Sequence, residues 1–140
     1  MHRTPKPLPD CTIFLLAKAY QKAHGRFKKL LKPYELTNIQ HLVLEGLWYE
    51  EGQTAAELGK LLVLDKATLS GVLDRMTDAG WIRKETAPDD KRAFRLYTSE
   101  KADDMKKELI ELRKQSNENL LTNFSDQEQV LLKRFLKDLM

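Results

Sequence analysis

Three times along this chain a hydroxyl residue is followed, three positions later, by a glutamine or glutamate: Thr37-Asn-Ile-Gln40, Thr54-Ala-Ala-Glu57 and Ser125-Asp-Gln-Glu128. In such a box the hydroxyl accepts from one unpaired amide of a helix start, and the longer side chain reaches back to another. Each box opens an apolar series at spacings of three and four. The first carries Ile39, Leu42, Val43, Leu47 and Trp48; the second Leu58, Leu61 and Leu62; the third Val130, Leu131, Phe135, Leu136 and Leu139. Asp65 is a fourth N-cap, ahead of Leu69, Val72, Leu73 and Met76, and Gly80 ends that helix. A chain punctuated in this way is committed to helices joined by short connections.

The remaining segments fill in the order. Residues 1–9 hold three prolines and read as a loose arm. From Cys11 to Leu31 the helical period returns through Phe14, Ala17, Tyr20, Ala23, Phe27 and Leu30, until Pro33 stops it. Residues 81–98 lose that period. Trp81–Lys84 and Phe94–Tyr97 read as two strands around the turn Ala87-Pro88-Asp89-Asp90. From Ser99 a long helix is expected, with Met105, Leu109, Leu112 and Leu120 on its apolar side. The fold class is therefore mainly α with a small β-hairpin wing. A winged helix-turn-helix is expected over 33–98, and a helical dimerisation region over 10–32 and 99–140. The terminal stripes are too far apart in sequence to be buried on the central domain alone, so a homodimer is predicted.

Composition narrows the function. With 41% hydrophobic and 32% charged residues the chain can build a core, and its net charge of +3 is compatible with a polyanionic partner without requiring one. Cys11 is the single cysteine, and His2, His24 and His41 are scattered, so neither a disulfide nor a zinc site is expected. No cofactor is expected. No apolar run reaches the roughly 18 residues of a membrane span, and no signal peptide is evident, so a cytoplasmic protein is expected. A nucleophile–base pair, a phosphate loop and a metal set are all missing, which argues against an enzyme.

Two short helices joined at Val63-Leu64 have the layout of a helix-turn-helix. With Leu69, Val72, Leu73 and Met76 turned inward, the second helix presents Ala67, Ser70, Gly71, Asp74 and Arg75, flanked by Lys66 and Thr68. Thr68 and Ser70 suit base edges or phosphates, and Lys66 and Arg75 suit phosphates. An ordinary helix corner with a solvated face fits this segment equally well. The hairpin that follows tips the balance, because it carries Arg83, Lys84, Lys91, Arg92 and Arg95, as a DNA wing would. Six cations (83, 84, 91, 92, 95, 101) against four acids (85, 89, 90, 100) make it mildly basic. A winged-helix protein-interaction module is the rival reading.

Residues 36–100 resemble the MarR family of regulators. The resemblance is carried by Thr54-Ala-Ala-Glu-Leu-Gly-Lys-Leu-Leu62, Thr68-Leu-Ser-Gly-Val-Leu-Asp-Arg-Met76, Ala79-Gly-Trp-Ile-Arg-Lys84, Asp90-Lys-Arg92 and Leu96-Tyr-Thr98. It implies a dimer with intertwined terminal helices, each winged domain placing its second helix in the major groove of a near-palindromic operator. It also implies a wing arginine in the minor groove, here Arg92, oriented by Asp90, with Lys91 beside them. Gly71 departs from the larger or basic residue of many members, and Glu100-Lys101-Ala102 replaces a glycine after the second strand.

The same resemblance bears on control. Family members bind small aromatic acids between the dimerisation and winged regions, which makes Tyr20, His24, Phe27 and Trp48 candidate effector-binding residues. Aromatic side chains at helical spacing also fit a plain core. The cation run Lys22, Arg26, Lys28, Lys29 and Lys32 fits a solvated helix face, or a draw for an anionic ligand. The peroxide-sensing OhrR branch uses a cysteine served by tyrosines near the first helix. Aligned with it, Cys11 falls two residues early, Ile13 takes the cysteine position, and Ala17, Phe27 and Asn38 stand where tyrosines are required. The expectation is a repressor released by a small aromatic or apolar anion, with an OhrR-like redox sensor using Cys11 as the alternative.

Overall fold

A computed structural model describes residues 8–140, apart from the side chains of residues 90–92. Most of the expected arm, residues 1–7, lies outside the described residues. The chain divides into two compact units, one of residues 30–111 and one formed by the two ends of the chain.

In the central unit, helix α2 (Asn38–Tyr49) and helix α3 (Ala55–Leu62) each start at a complete capping box. Thr37 Oγ1 accepts from the Gln40 amide at 3.2 Å, and Gln40 Oε1 accepts from the Thr37 amide at 3.1 Å. Val63 then turns the chain in the left-handed region at φ 54°. Asp65 caps helix α4 (Lys66–Asp78), whose side chain accepts from the Thr68 amide. The second end of that helix is closed by Gly80 at φ 79°. Strands β1 (Ile82–Ala87) and β2 (Asp90–Thr98) form an antiparallel hairpin. They are longer than the sequence pattern suggests, because Ala87 and Asp90 are themselves paired around a Pro88-Asp89 turn. The register slips between Thr86, which faces Phe94, and Ala87, which faces Asp90, so β2 residues 91–93 have no partner in β1.

One long helix was expected from Ser99. The chain instead forms α5 (Glu100–Asp104), capped by Ser99, and α6 (Lys106–Leu120). At Met105 the amide bonds to Ala102 O at 3.1 Å, three residues back, so the last turn tightens before α6 restarts.

The core of this unit is the inward stripe of every element: Val43, Leu44, Leu47, Leu58, Leu69, Val72, Leu73, Met76, Trp81, Ile82, Leu96 and Leu109. Gly46 lets α2 and α3 approach, since a Cβ there would lie 2.8 Å from Leu58 Cδ1. His41 is fully buried and its Nε2–H donates to Leu109 O at 2.7 Å, joining α2 to α6. Trp48 Nε1 donates to Asp103 Oδ1 at 3.0 Å, and Thr98 Oγ1 donates to the same oxygen at 2.6 Å.

The terminal unit contains most of α1 (Thr12–Leu31), the end of α6, and α7 (Asp126–Asp138) with its Ser125–Glu128 capping box. Phe27 is buried under the Arg113 guanidinium, 5.1 Å from the ring centre. Most other large apolar side chains of this unit are open to solvent. Ile13 is 79% exposed, Tyr20 65% and Val130 68%, and Leu131, Phe135, Leu136 and Leu139 are exposed with them. A helix such as α7, with no buried residue in a single chain, lacks the partner its apolar stripe was built for.

Candidate nucleic-acid interface

Helix α4 separates its faces cleanly. Leu69, Val72, Leu73 and Met76 are buried, while Lys66, Ala67, Thr68, Ser70, Asp74 and Arg75 are exposed. The first turn is tied to its cap twice. The Thr68 amide donates to Asp65 Oδ1 at 2.7 Å and its hydroxyl donates to Oδ2 at 2.8 Å. These bonds, the amide first and the hydroxyl second, hold the Asp65 carboxyl below its ordinary range. With its proton committed, Thr68 Oγ1 presents lone pairs outward, the complement of a base amino group. The Arg75 guanidinium folds back over Gly71, where an added Cβ would sit 3.5 Å from Nη1. A methyl group there would make only ordinary contact with the guanidinium, so the position of the arginine does not require the glycine.

A groove of about 850 Å³ runs between α3, α4 and the hairpin, lined by Ala56, Lys60, Lys66, Leu69, Lys84 and Phe94 among others. Of the six cations counted from sequence, four are engaged within the unit, among them Lys101, whose Nζ donates to Ala79 O at 3.3 Å and stands 4.2 Å from the Trp81 ring centre. Lys84 Nζ bonds Asp74 Oδ1 at 3.1 Å, tying β1 to α4. Arg83 pairs with Glu85 and covers the Tyr97 ring at 4.8 Å. Arg95 Nη1 donates to Gly52 O at 3.0 Å. The side chains of Asp90, Lys91 and Arg92 lie outside the described residues; their backbone begins β2 at the hairpin tip.

The aromatic candidates do not share a unit. Tyr20 and His24 belong to the terminal unit, their rings 5.2 Å apart and tilted by 39°, as does Phe27. Trp48 belongs to the central unit, where its indole N–H is occupied by Asp103 and Lys106 Nζ stands 6.0 Å from its ring. Cys11 is half-exposed at the start of α1, its carbonyl accepting from Leu15 N at 2.9 Å.

Sequence reasoning missed the root of the wing. Gln53 forms a β-bridge with Leu96, adding a third short strand position to the hairpin. Its buried side-chain amide donates to Gly46 O at 2.8 Å and Glu50 O at 2.6 Å. A Gly-Gln pair between a helix and a capping box was the available signal, and it resembles any turn.

Among the described residues no cluster of His, Cys, Asp and Glu could hold a metal, and no helix is long and apolar enough to cross a membrane. Residues 36–94 match the MarR family model. The chain is 35% identical over 98 residues to the HTH-type transcriptional regulator TtmR of Methylorubrum extorquens, covering 69% of this chain and about half of that relative. It is 32% identical over 114 residues to the organic hydroperoxide resistance transcriptional regulator of Bacillus subtilis, covering 76% of this chain and 78% of the relative. Among solved structures, a mutant MarR from E. coli complexed with operator DNA aligns with a TM-score of 0.82 at 25% identity, over 90% of this chain and 91% of that one. The first two of these relatives are transcriptional regulators, and the third is complexed with operator DNA. A winged helix-turn-helix built on the expected motifs, with relatives of this identity over most of the chain, establishes that the protein belongs to the MarR family of transcriptional regulators.

Proposed function

We propose that this chain is a homodimeric, cytoplasmic repressor that reads a near-palindromic operator in duplex DNA and releases it on binding a small aromatic or apolar anion. Residues 33–98 serve as the DNA-binding domain, and 10–32 with 99–140 as the dimerisation region. The observation that carries the reading is the split of α4: its whole apolar stripe is buried, and Lys66, Thr68, Ser70 and Arg75 stand exposed beside a cationic hairpin. Lys66 and Arg75 contact phosphates, Thr68 and Ser70 meet base edges, and Asp90, Lys91 and Arg92 form the minor-groove contact of the wing. Exposed apolar stripes on α1 and α7 support dimerisation, and the operator-bound MarR structure supports the mode of docking. The deciding experiment is a salt titration of binding to fragments selected from the source genome. Affinity should fall steeply with salt, as counterion release requires. A protein-interaction module would bind its partner with DNA as an ineffective competitor.

A second reading for the signal is favoured by the similarity to the hydroperoxide resistance regulator together with the half-exposed Cys11 at the start of α1. In that case oxidation of Cys11, rather than the binding of a small ligand, releases the operator.

A further inference from the structure

Gly52 gathers the root of the wing into one residue. Its φ is +76°, its amide donates to Leu96 O at 3.0 Å, and its carbonyl accepts from Arg95 Nη1 at 3.0 Å. A Cβ at this position would lie 3.1 Å from the Tyr97 hydroxyl oxygen. The next residue closes the rung, as Leu96 N donates to Gln53 O at 2.9 Å. Three consecutive residues of β2 thus converge on the short segment that follows α2.

The backbone rungs at Leu96 do not depend on side-chain identity. The Arg95 bond does, and a charged donor makes it stronger than a neutral one. A two-stranded hairpin is marginal by itself, so its direction is decided by what holds its base. From the Glu85–Arg95 pair to the Ala87–Asp90 pair at the tip is two residues of β1, about 7 Å at about 3.3 Å each, so a rotation of about 25° at the root displaces the tip by about 3 Å. That is the length of a hydrogen bond, enough to withdraw a groove contact.

We propose that Arg95 is a positioning residue for DNA recognition: its bond to the Gly52 carbonyl sets the direction of the wing relative to α2, and it acts on DNA through the wing tip rather than by touching it. The proposal rests on the DNA-binding reading above. It reassigns a cation that the sequence pattern places among the wing's DNA contacts.

Arg95→Met keeps most of the stem and removes the donor. It should be combined with Arg92→Ala in a double-mutant cycle on operator DNA, with amide hydrogen exchange measured on the full-length DNA-free protein. Arg95→Met is expected to weaken operator binding by about tenfold, the lower part of the range for losing a groove-reading arginine. Most of the loss caused by Arg92→Ala should disappear in the Arg95→Met background, because the tip is already displaced. Exchange at residues 94–97 should quicken while α4 stays protected, which also shows that the variant is folded. Additive losses would overturn the proposal, since Arg95 would then be an independent phosphate contact. Unchanged exchange in the hairpin would overturn it too, leaving the bond without effect on the wing. If the parent binds no DNA, the DNA-binding reading fails and the recognition role falls with it, while the exchange data separately report whether Arg95 holds the hairpin.

Discussion

Asp65 serves α4 and shapes what that helix presents. It satisfies the first-turn amide of Thr68 and fixes the Thr68 hydroxyl proton, so the oxygen is turned outward as an acceptor. Its folded-state pKa is depressed, first by the Thr68 amide and then by the hydroxyl. A depressed carboxyl contributes stability above its unfolded value and loses it as pH falls through the folded one. Asp65→Ala should therefore melt below the parent at neutral pH. The two melting curves should converge only in acid below the ordinary carboxylate range; a difference independent of pH would remove the charge from the explanation. The exposed cations divide the remaining work. Arg92→Ala should weaken specific operator binding by about 1–3 kcal/mol, while Lys66→Ala should lower affinity for all sequences alike and reduce the salt slope by about one. Binding of the operator by Arg92→Ala at parental affinity would refute the wing assignment.

At the scale of elements, connections decide how faces are aimed. Val63, the turn between α3 and α4, is 68% exposed and sits at φ 54°. A β-branched residue there costs about 1–2 kcal/mol, because its Cβ crowds the neighbouring carbonyl. Asparagine visits this region more readily and takes the same place at helix ends. Val63→Asn should therefore raise stability by about 1 kcal/mol in urea unfolding, and a loss instead would mean that the valine methyls pack in a way its exposure hides. The wing is likewise aimed by its connections: the Lys84–Asp74 pair ties β1 to α4, and the Gln53–Leu96 bridge ties β2 to the segment after α2. Cations spent on these ties are withdrawn from the count available to DNA, which is why the charge of a hairpin overstates its phosphate contacts.

For the whole molecule, the exposed apolar stripes on α1 and α7 demand an occupant. Residues such as Ile13, Val130, Phe135 and Leu139 would leave a large apolar patch in water on a monomer. A second copy of the chain is the proposed cover, and interfaces of this obligate kind bury on the order of 2,000 Å² or more. Light scattering should find a dimer at micromolar concentration, and deletion of residues 126–140 should reduce its mass to that of a monomer or leave it aggregated. Control belongs to the same scale. To empty the operator an effector must prefer the non-binding state by several kcal/mol, because equal affinity for both states shifts nothing. Organic hydroperoxide should leave operator binding intact in both parent and Cys11→Ser, whereas small aromatic acids should release both. Release of the parent alone by hydroperoxide would favour the redox reading.

The sequence by itself determined where helices begin, which face of each is buried, and that a hairpin follows the second short helix. Those are local matters: capping boxes at 37, 54 and 125, apolar spacing, and a Pro-Asp turn all act within a few residues. The resemblance to the family was legible for the same reason, since its motifs are contiguous. Tertiary structure alone decided which cations are spent internally. Arg95 meets Gly52 across 43 positions and Lys84 meets Asp74 across ten, and no periodicity announces either pair. The buried His41 is of the same kind, since its partner, the Leu109 carbonyl, stands 68 residues away. The break at Met105 also escaped the pattern, because an apolar stripe continues through a tightened turn. Buried polar groups must find partners wherever the fold brings them, so their pairing is a property of the packed chain rather than of the neighbours in sequence.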